Sequence, residues 1–166
     1  MKTLDPRENL YSSLRNLLAN LCLIGVTLSG PSNILSSYEP TPTPDARILS
    51  LNRFFASNDC PAPFYSIQYL DAADKYDLDY RLLPAISVLE SACGKHACDD
   101  GIRRWGYGNC KGYTFDSVAE GIDYVSENLA NGLYYRGKTI PEKLKMYNPN
   151  RRYGPKVEAL MRAIEP

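Results

Sequence analysis

Apolar side chains recur every three to four residues along most of the chain after residue 45, which is the pattern of helices that bury one face. The clearest of these helices begins at a Ser117-x-x-Glu120 capping box and ends at Asn131-Gly132. Its apolar stripe consists of Val118, Ile122, Val125 and Leu129. Because this segment has signals at both ends and one apolar face, we expect a helix packed on the core.

Weaker stripes predict further helices on both sides of this one. One begins at about Ala46, a second ends near Tyr76, Thr139 caps a short one, and the last follows Pro155. The positions expected to face inward are Ile48, Leu51, Phe55, Ile67, Leu70, Ala73, Val157, Leu160, Met161 and Ile164. A small β-hairpin near 104–114 is the only strand pairing that the pattern allows. The sequence therefore predicts an all-α fold of about six helices.

The most apolar helix is predicted over Leu82–Ser91, and it ends on an ionisable group. Apolar side chains cover nearly its full circumference, so it should run through the core, with Asp79 capping its start. Leu83, Ile86 and Glu90 share one stripe, which places the carboxyl at the end of an apolar face near the negative end of the helix dipole. Desolvation and the dipole both disfavour the charged carboxylate, as a general acid requires. The alternative is a solvated helix end or the partner of an arginine.

A series of short motifs begins within this helix and continues toward the end of the chain. The motifs are Leu83-Pro84-Ala85-Ile86, Glu90-Ser91, Gly94-Lys95, Trp105-Gly106-Tyr107, Phe115-Asp116-Ser117, Glu120-Gly121-Ile122, Tyr134-Tyr135-Arg136-Gly137-Lys138, Tyr147-Asn148-Pro149, Tyr153 and Val157. In order and spacing this series resembles the lysozyme-like peptidoglycan hydrolases, especially the bacterial endo-β-N-acetylglucosaminidase-like domains, over about residues 46–165. The resemblance implies a lysozyme-like fold and cleavage of β-1,4 bonds in the cell-wall glycan, with Glu90 as the catalytic acid.

The resemblance also implies the residues of a substrate cleft. A tyrosine in the region of Tyr153 borders the reacting sugar in such proteins, where its hydroxyl could orient an acetamido group or stabilise developing charge; the alternative is that Tyr153 only packs under the last helix. An aromatic ring stacks on the apolar side of a pyranose, and an amide can bind its acetamido group. The substrate-binding candidates are Ser91, Trp105, Tyr107, Asn109, Tyr147 and Asn148.

The sequence does not determine which group assists Glu90 in catalysis. Asp99 or Asp100 could supply a second carboxylate, although both could equally be solvated loop residues. The N-acetyl group of the substrate could instead attack the anomeric carbon, or the muramyl hydroxyl could do so, as in lytic transglycosylases. A non-catalytic wall-binding module of the same fold is the alternative of a different class.

The chain has five cysteines, and Cys22 lies in the segment predicted below as a leader. Without it, Cys60, Cys93, Cys98 and Cys110 form an even set that an oxidising compartment would pair in one of three ways. Cys98 and Cys110 bracket the loop that carries Trp105 and Tyr107, which favours a bridge between them and leaves Cys60 with Cys93; the other pairings stay open. A zinc site made by Cys93, His96, Cys98 and Cys110 is the competing hypothesis. One residue separates His96 from Cys98, closer than usual zinc spacing, so we expect no metal and no cofactor.

Residues 1–30 place basic residues before an apolar run, which is the form of a secretory signal or an N-terminal membrane anchor. The alternative is an amphipathic helix packed on the domain. Residues 31–45 are rich in Pro, Ser and Thr and predict a linker, so the glycosidase domain is expected over 46–166. We expect a secreted or periplasmic monomer that acts on peptidoglycan glycan strands. The net charge is zero, which gives no general attraction for nucleic acid.

Overall fold

The computed structural model describes residues 45–98, 101–106 and 114–165, which belong to one compact unit. Within these residues the chain forms six helices and no strand, so the all-α prediction is confirmed. The helices are α1 Ala46–Ser57, α2 Ser66–Lys75, α3 Leu82–Ser91, α4 Val118–Asn131, α5 Ile140–Tyr147 and α6 Tyr153–Arg162. The predicted leader over 1–30 and all but the last residue of the predicted linker lie outside the described residues.

Helix α3 occupies the centre of the molecule, as its uniform apolarity predicts. Leu82, Ala85 and Ile86 are fully buried, and the core around them takes side chains from all the other helices. Helix α3 packs along α6, α2 packs against both α1 and α4, and α5 packs against α6. Asp79 does not cap α3 as predicted: its carboxylate accepts from the backbone N–H of Arg81, in the turn before the helix begins.

Two details of the predicted helices are wrong. Ile67 is 55% exposed, because the buried face of α2 is formed by Tyr69, Leu70 and the alanines that follow them. Helix α6 begins at Tyr153, two residues before Pro155. Proline is tolerated there because the N–H groups in the first turn of a helix have no partner within the helix. The stripe of α4 and the capping box of α5 are as predicted. In α1 the predicted Leu51 and Phe55 are buried, whereas Ile48 is only half-buried.

The C-terminal end of α3 is held by a disulfide bridge between Cys60 and Cys93, which confirms that predicted pair. Cys98 is also disulfide-bonded, and its predicted partner Cys110 lies outside the described residues. A sulfur in a disulfide is not a thiolate ligand, so the zinc hypothesis loses two of its four ligands. The bridge ties the segment before α2 to a position three residues beyond Glu90.

Lys143, on α5, is buried and caps the C-terminal end of α4. Its ammonium donates a hydrogen bond to the backbone carbonyl of Leu129, in the last turn of that helix. A cation there satisfies a carbonyl that has no partner within the helix and also interacts favourably with the helix dipole. Burial lowers the pKa of the Lys143 ammonium, because it disfavours the charged form.

We expect Lys143→Met to lower the free energy of unfolding by about 1 to 3 kcal/mol, since a buried carbonyl is left without its donor. Urea denaturation measures this change. Lys145→Met is the matched control, because Lys145 is exposed on the same helix, and it should change stability by less than about 0.5 kcal/mol. Equal stabilities of the two variants would contradict the capping role.

Candidate active site

Glu90 and Tyr153 are brought together by the packing of α3 along α6. Glu90 lies in the last turn of α3, and Tyr153 is the first residue of α6, 63 positions further along the chain. The Tyr153 hydroxyl donates a hydrogen bond of 2.6 Å to Oε1 of Glu90. The two residues that the sequence predicts as catalytic, Glu90 and Tyr153, are therefore in direct contact.

Tyr153 is held in place by its neighbours and is only 7% exposed. Its ring stacks on the ring of Tyr147, with centroids 6.0 Å apart, and the Tyr147 hydroxyl donates to the backbone carbonyl of Trp105. Burial, and then the hydrogen bond to Glu90, raise the pKa of Tyr153 well above its usual value. Tyr153 therefore stays a protonated donor toward the carboxylate at any pH near neutrality.

Gly106 lies against the second oxygen of the Glu90 carboxylate. Its φ is +68°, in the left-handed region that favours glycine, and a Cβ built there would lie 2.6 Å from Oε2 of Glu90. The conformation therefore favours glycine, and a side chain at this position would have to displace the Glu90 carboxylate. Tyr153 binds one oxygen of the carboxylate and Gly106 lies beside the other, so the carboxylate has a defined position.

The carboxylate opens onto a pocket of about 230 Å³. The described lining of this pocket consists of Leu89, Glu90, Asn148, Asn150, Arg152, Tyr153 and Lys156. A second pocket, of about 380 Å³, shares Asn148 and Asn150 with the first and extends toward α5. Three of the predicted site residues, Glu90, Tyr153 and Asn148, thus line one pocket.

The loop between α5 and α6 is fixed by two asparagine side chains. The Asn148 Oδ1 atom accepts from the backbone N–H of Asn150, and the Asn150 Oδ1 atom accepts from the N–H of Arg152, both at 3.0 Å. Because the oxygens bind the backbone, the two amide NH₂ groups are the parts of these side chains that can donate to a ligand. Asn-x-Asn spacing of this kind is a turn signal that a sequence analysis could have used.

Two predicted substrate-binding residues are instead structural. Trp105 is fully buried and packs edge-on against Tyr69, with ring centroids 6.2 Å apart, so it belongs to the core. Ser91 is 5% exposed; its hydroxyl donates to the Arg104 carbonyl at 2.7 Å and accepts from the Gly94 N–H at 2.8 Å. Ser91 therefore links the backbone at Arg104 and Gly94 to the end of α3, and it is not part of the described lining of the pocket.

The other predicted site residues are not among the described residues that line the pocket at Glu90. Tyr107, Asn109, Asp99 and Asp100 lie outside the described residues, and the Tyr147 hydroxyl is used in positioning the backbone of Trp105. Within the ranges that the structure describes, no three His, Cys, Asp or Glu side chains are grouped as metal ligands, and no helix is long and apolar enough to cross a membrane.

The chain matches no protein-family model, no curated protein and no solved structure.

We expect Tyr153→Phe to lower the turnover of a Glu90-dependent reaction by about tenfold, because the variant loses one hydrogen bond to a charged group and keeps the packed ring. The melting temperature should change little. Tyr134→Phe, at an exposed tyrosine, is the matched control and should leave turnover unchanged. Turnover of Tyr153→Phe equal to that of the unmodified protein would limit Tyr153 to a packing role.

Proposed function

We propose that this protein is a glycosidase of the bacterial cell wall that cleaves β-1,4 bonds between N-acetylglucosamine and N-acetylmuramic acid, with Glu90 as the general acid. The observation that carries the proposal is the Glu90–Tyr153 hydrogen bond at the edge of a pocket with amide donors. The resemblance of the motifs to lysozyme-like hydrolases supports the same assignment.

Glycoside cleavage needs a proton on the leaving oxygen while positive charge develops on the sugar ring. Protonated Glu90 donates that proton, and the carboxylate that it leaves accepts the hydrogen bond of Tyr153. Because this bond strengthens as the negative charge forms, Tyr153 stabilises the product state of the proton transfer more than the starting state. Glu90 at the end of an apolar helix and Tyr153 as its donor therefore form a unit suited to acid catalysis.

The loop from Asn148 to Arg152 offers the contacts that an N-acetylated sugar requires. The amide NH₂ groups of Asn148 and Asn150 can donate to the carbonyl oxygen of an acetamido group, while Leu89 supplies apolar surface beside it. Export to the wall is part of the proposal. The leader-like pattern of residues 1–30 and the Cys60–Cys93 bridge, which suits an oxidising compartment, support it.

Lytic transglycosylation is the second candidate, and the composition of the pocket favours it. Glu90 is the one carboxylate among the described residues that line the pocket. In this reaction Glu90 protonates the leaving oxygen and then, as a carboxylate, takes the proton of the muramyl hydroxyl that attacks the anomeric carbon. One carboxylate is sufficient for both steps, and the product is an anhydro sugar.

Mass analysis of the fragments released from purified peptidoglycan by the full chain tests both candidates. Fragments with a reducing N-acetylglucosamine end indicate a glucosaminidase, a reducing muramic acid end indicates a muramidase, and a muramic acid end lighter by one water indicates transglycosylation. The Glu90→Gln variant is the blank. Binding to peptidoglycan without any released fragment would leave only a wall-binding module and contradict the proposal.

A further inference from the structure

The positive charge of this chain is unevenly distributed. The net charge of the whole chain is zero, yet residues 136–162 carry eight Lys and Arg against two Glu. Four of these cations form what we call the basic cluster. Arg152 and Lys156 line the pocket at Glu90, and Lys145 and Arg151 line the larger pocket that shares Asn148 and Asn150 with it. An excess of cations around a pair of concave surfaces raises the local concentration of anions.

The cations of the basic cluster are available to a ligand. All four are exposed, and within the part of the chain that the structure describes none of them forms an ion pair, whereas Arg47, Lys75 and Arg81 do. Glu158 is the only carboxylate in the described lining of the larger pocket. The NH₂ groups of Asn148 and Asn150, which both pockets share, add further donors.

We infer that the basic cluster is a subsite for carboxylates carried by the substrate, so that the protein selects glycan that bears acidic peptides over unsubstituted glycan. This inference rests on the proposed function, because muramic acid is the sugar of that glycan to which peptides are attached. A lining of guanidinium, ammonium and amide donors matches carboxylate acceptors, and Arg151 and Arg152 can bind a carboxylate through two parallel hydrogen bonds. The shared Asn148 and Asn150 make the subsite continuous with the pocket at Glu90.

Binding to three ligands tests the subsite: a soluble glycan fragment that bears acidic peptides, the same fragment after an amidase has removed them, and the free peptide. Binding is measured with the full chain carrying Glu90→Gln, so that the ligand is not consumed. We expect the peptide-bearing fragment to bind about tenfold more tightly than the peptide-free one, and this preference to fall as salt is raised.

The double variant Lys145→Gln/Arg151→Gln should lose the preference and keep the affinity for the peptide-free fragment. The matched control, Arg136→Gln/Lys138→Gln, removes the same charge from exposed positions outside both pocket linings and should keep the preference. Melting temperatures show that each variant is folded. Equal affinity for the two fragments, or an undiminished preference in the double variant, would overturn the subsite.

If the proposed function is wrong, the same binding and cleavage measurements give a different result. If the unmodified chain cleaves neither glycan but binds the free peptide, and Lys145→Gln/Arg151→Gln loses that binding, the glycosidase is excluded and an anion site remains. If polyphosphate binds more tightly than the peptide-bearing fragment, the basic cluster recognises phosphate, and the carboxylate assignment is wrong.

Discussion

Glu90→Gln is expected to lower the rate of peptidoglycan cleavage by about 10² to 10⁴-fold, which is the range of general acid catalysis. Glutamine has the shape of the carboxylic acid and can still accept the Tyr153 hydrogen bond, but it has no proton to transfer to the leaving oxygen. A zymogram on purified peptidoglycan, followed by rates of fragment release, measures the loss. Because the packing around Glu90 is conserved in the variant, its melting temperature should stay close to that of the unmodified protein.

The matched control is Glu127→Gln, which removes the same charge from an exposed position on α4 outside the pocket at Glu90. This control should cleave at the unmodified rate, which separates a local effect from one of net charge. If Glu90→Gln still releases fragments at that rate, Glu90 is not the acid, and the Glu90–Tyr153 pair is a structural contact between α3 and α6.

The helices could be predicted from the sequence because most of them are amphipathic and have recognisable ends. Helix α4 has a cap at Ser117, four apolar positions at helical spacing and a glycine after its last residue, and all these signals agree. The prediction was weaker for α2. Its sequence offers several apolar positions, and tertiary packing selected the face that includes Tyr69 and left Ile67 exposed.

The site was predictable only in part, because contacts between distant residues leave no local pattern. Glu90 and Tyr153 were named separately, and the hydrogen bond between them depends on the packing of α3 along α6. Trp105 was placed in the cleft because aromatic loops suit sugars, yet a large apolar ring gains more from full burial beside Tyr69. The position of Gly106 beside the Glu90 carboxylate has no signal in the sequence either.

Gly106→Ala is expected to reduce peptidoglycan cleavage by about 10²-fold or more, because the new Cβ would lie 2.6 Å from Oε2 of Glu90 and must displace the carboxylate. A shift of about 1 Å of a catalytic group is enough for a loss of this size. The substitution also forces alanine into a left-handed conformation, which costs about 1 to 2 kcal/mol of stability. Rates of fragment release and urea denaturation measure the two effects separately.

Comparison with the Gly137→Ala variant separates the effect of displacing Glu90 on activity from the effect of backbone strain. Gly137 has φ +71°, close to the +68° of Gly106, but no atom lies within 4 Å of a Cβ built at Gly137. Both variants should therefore lose a similar part of their stability, while only Gly106→Ala should lose most of its activity. If Gly106→Ala cleaves as fast as Gly137→Ala, the position of the Glu90 carboxylate does not limit the reaction, and its contact with Gly106 has no part in catalysis.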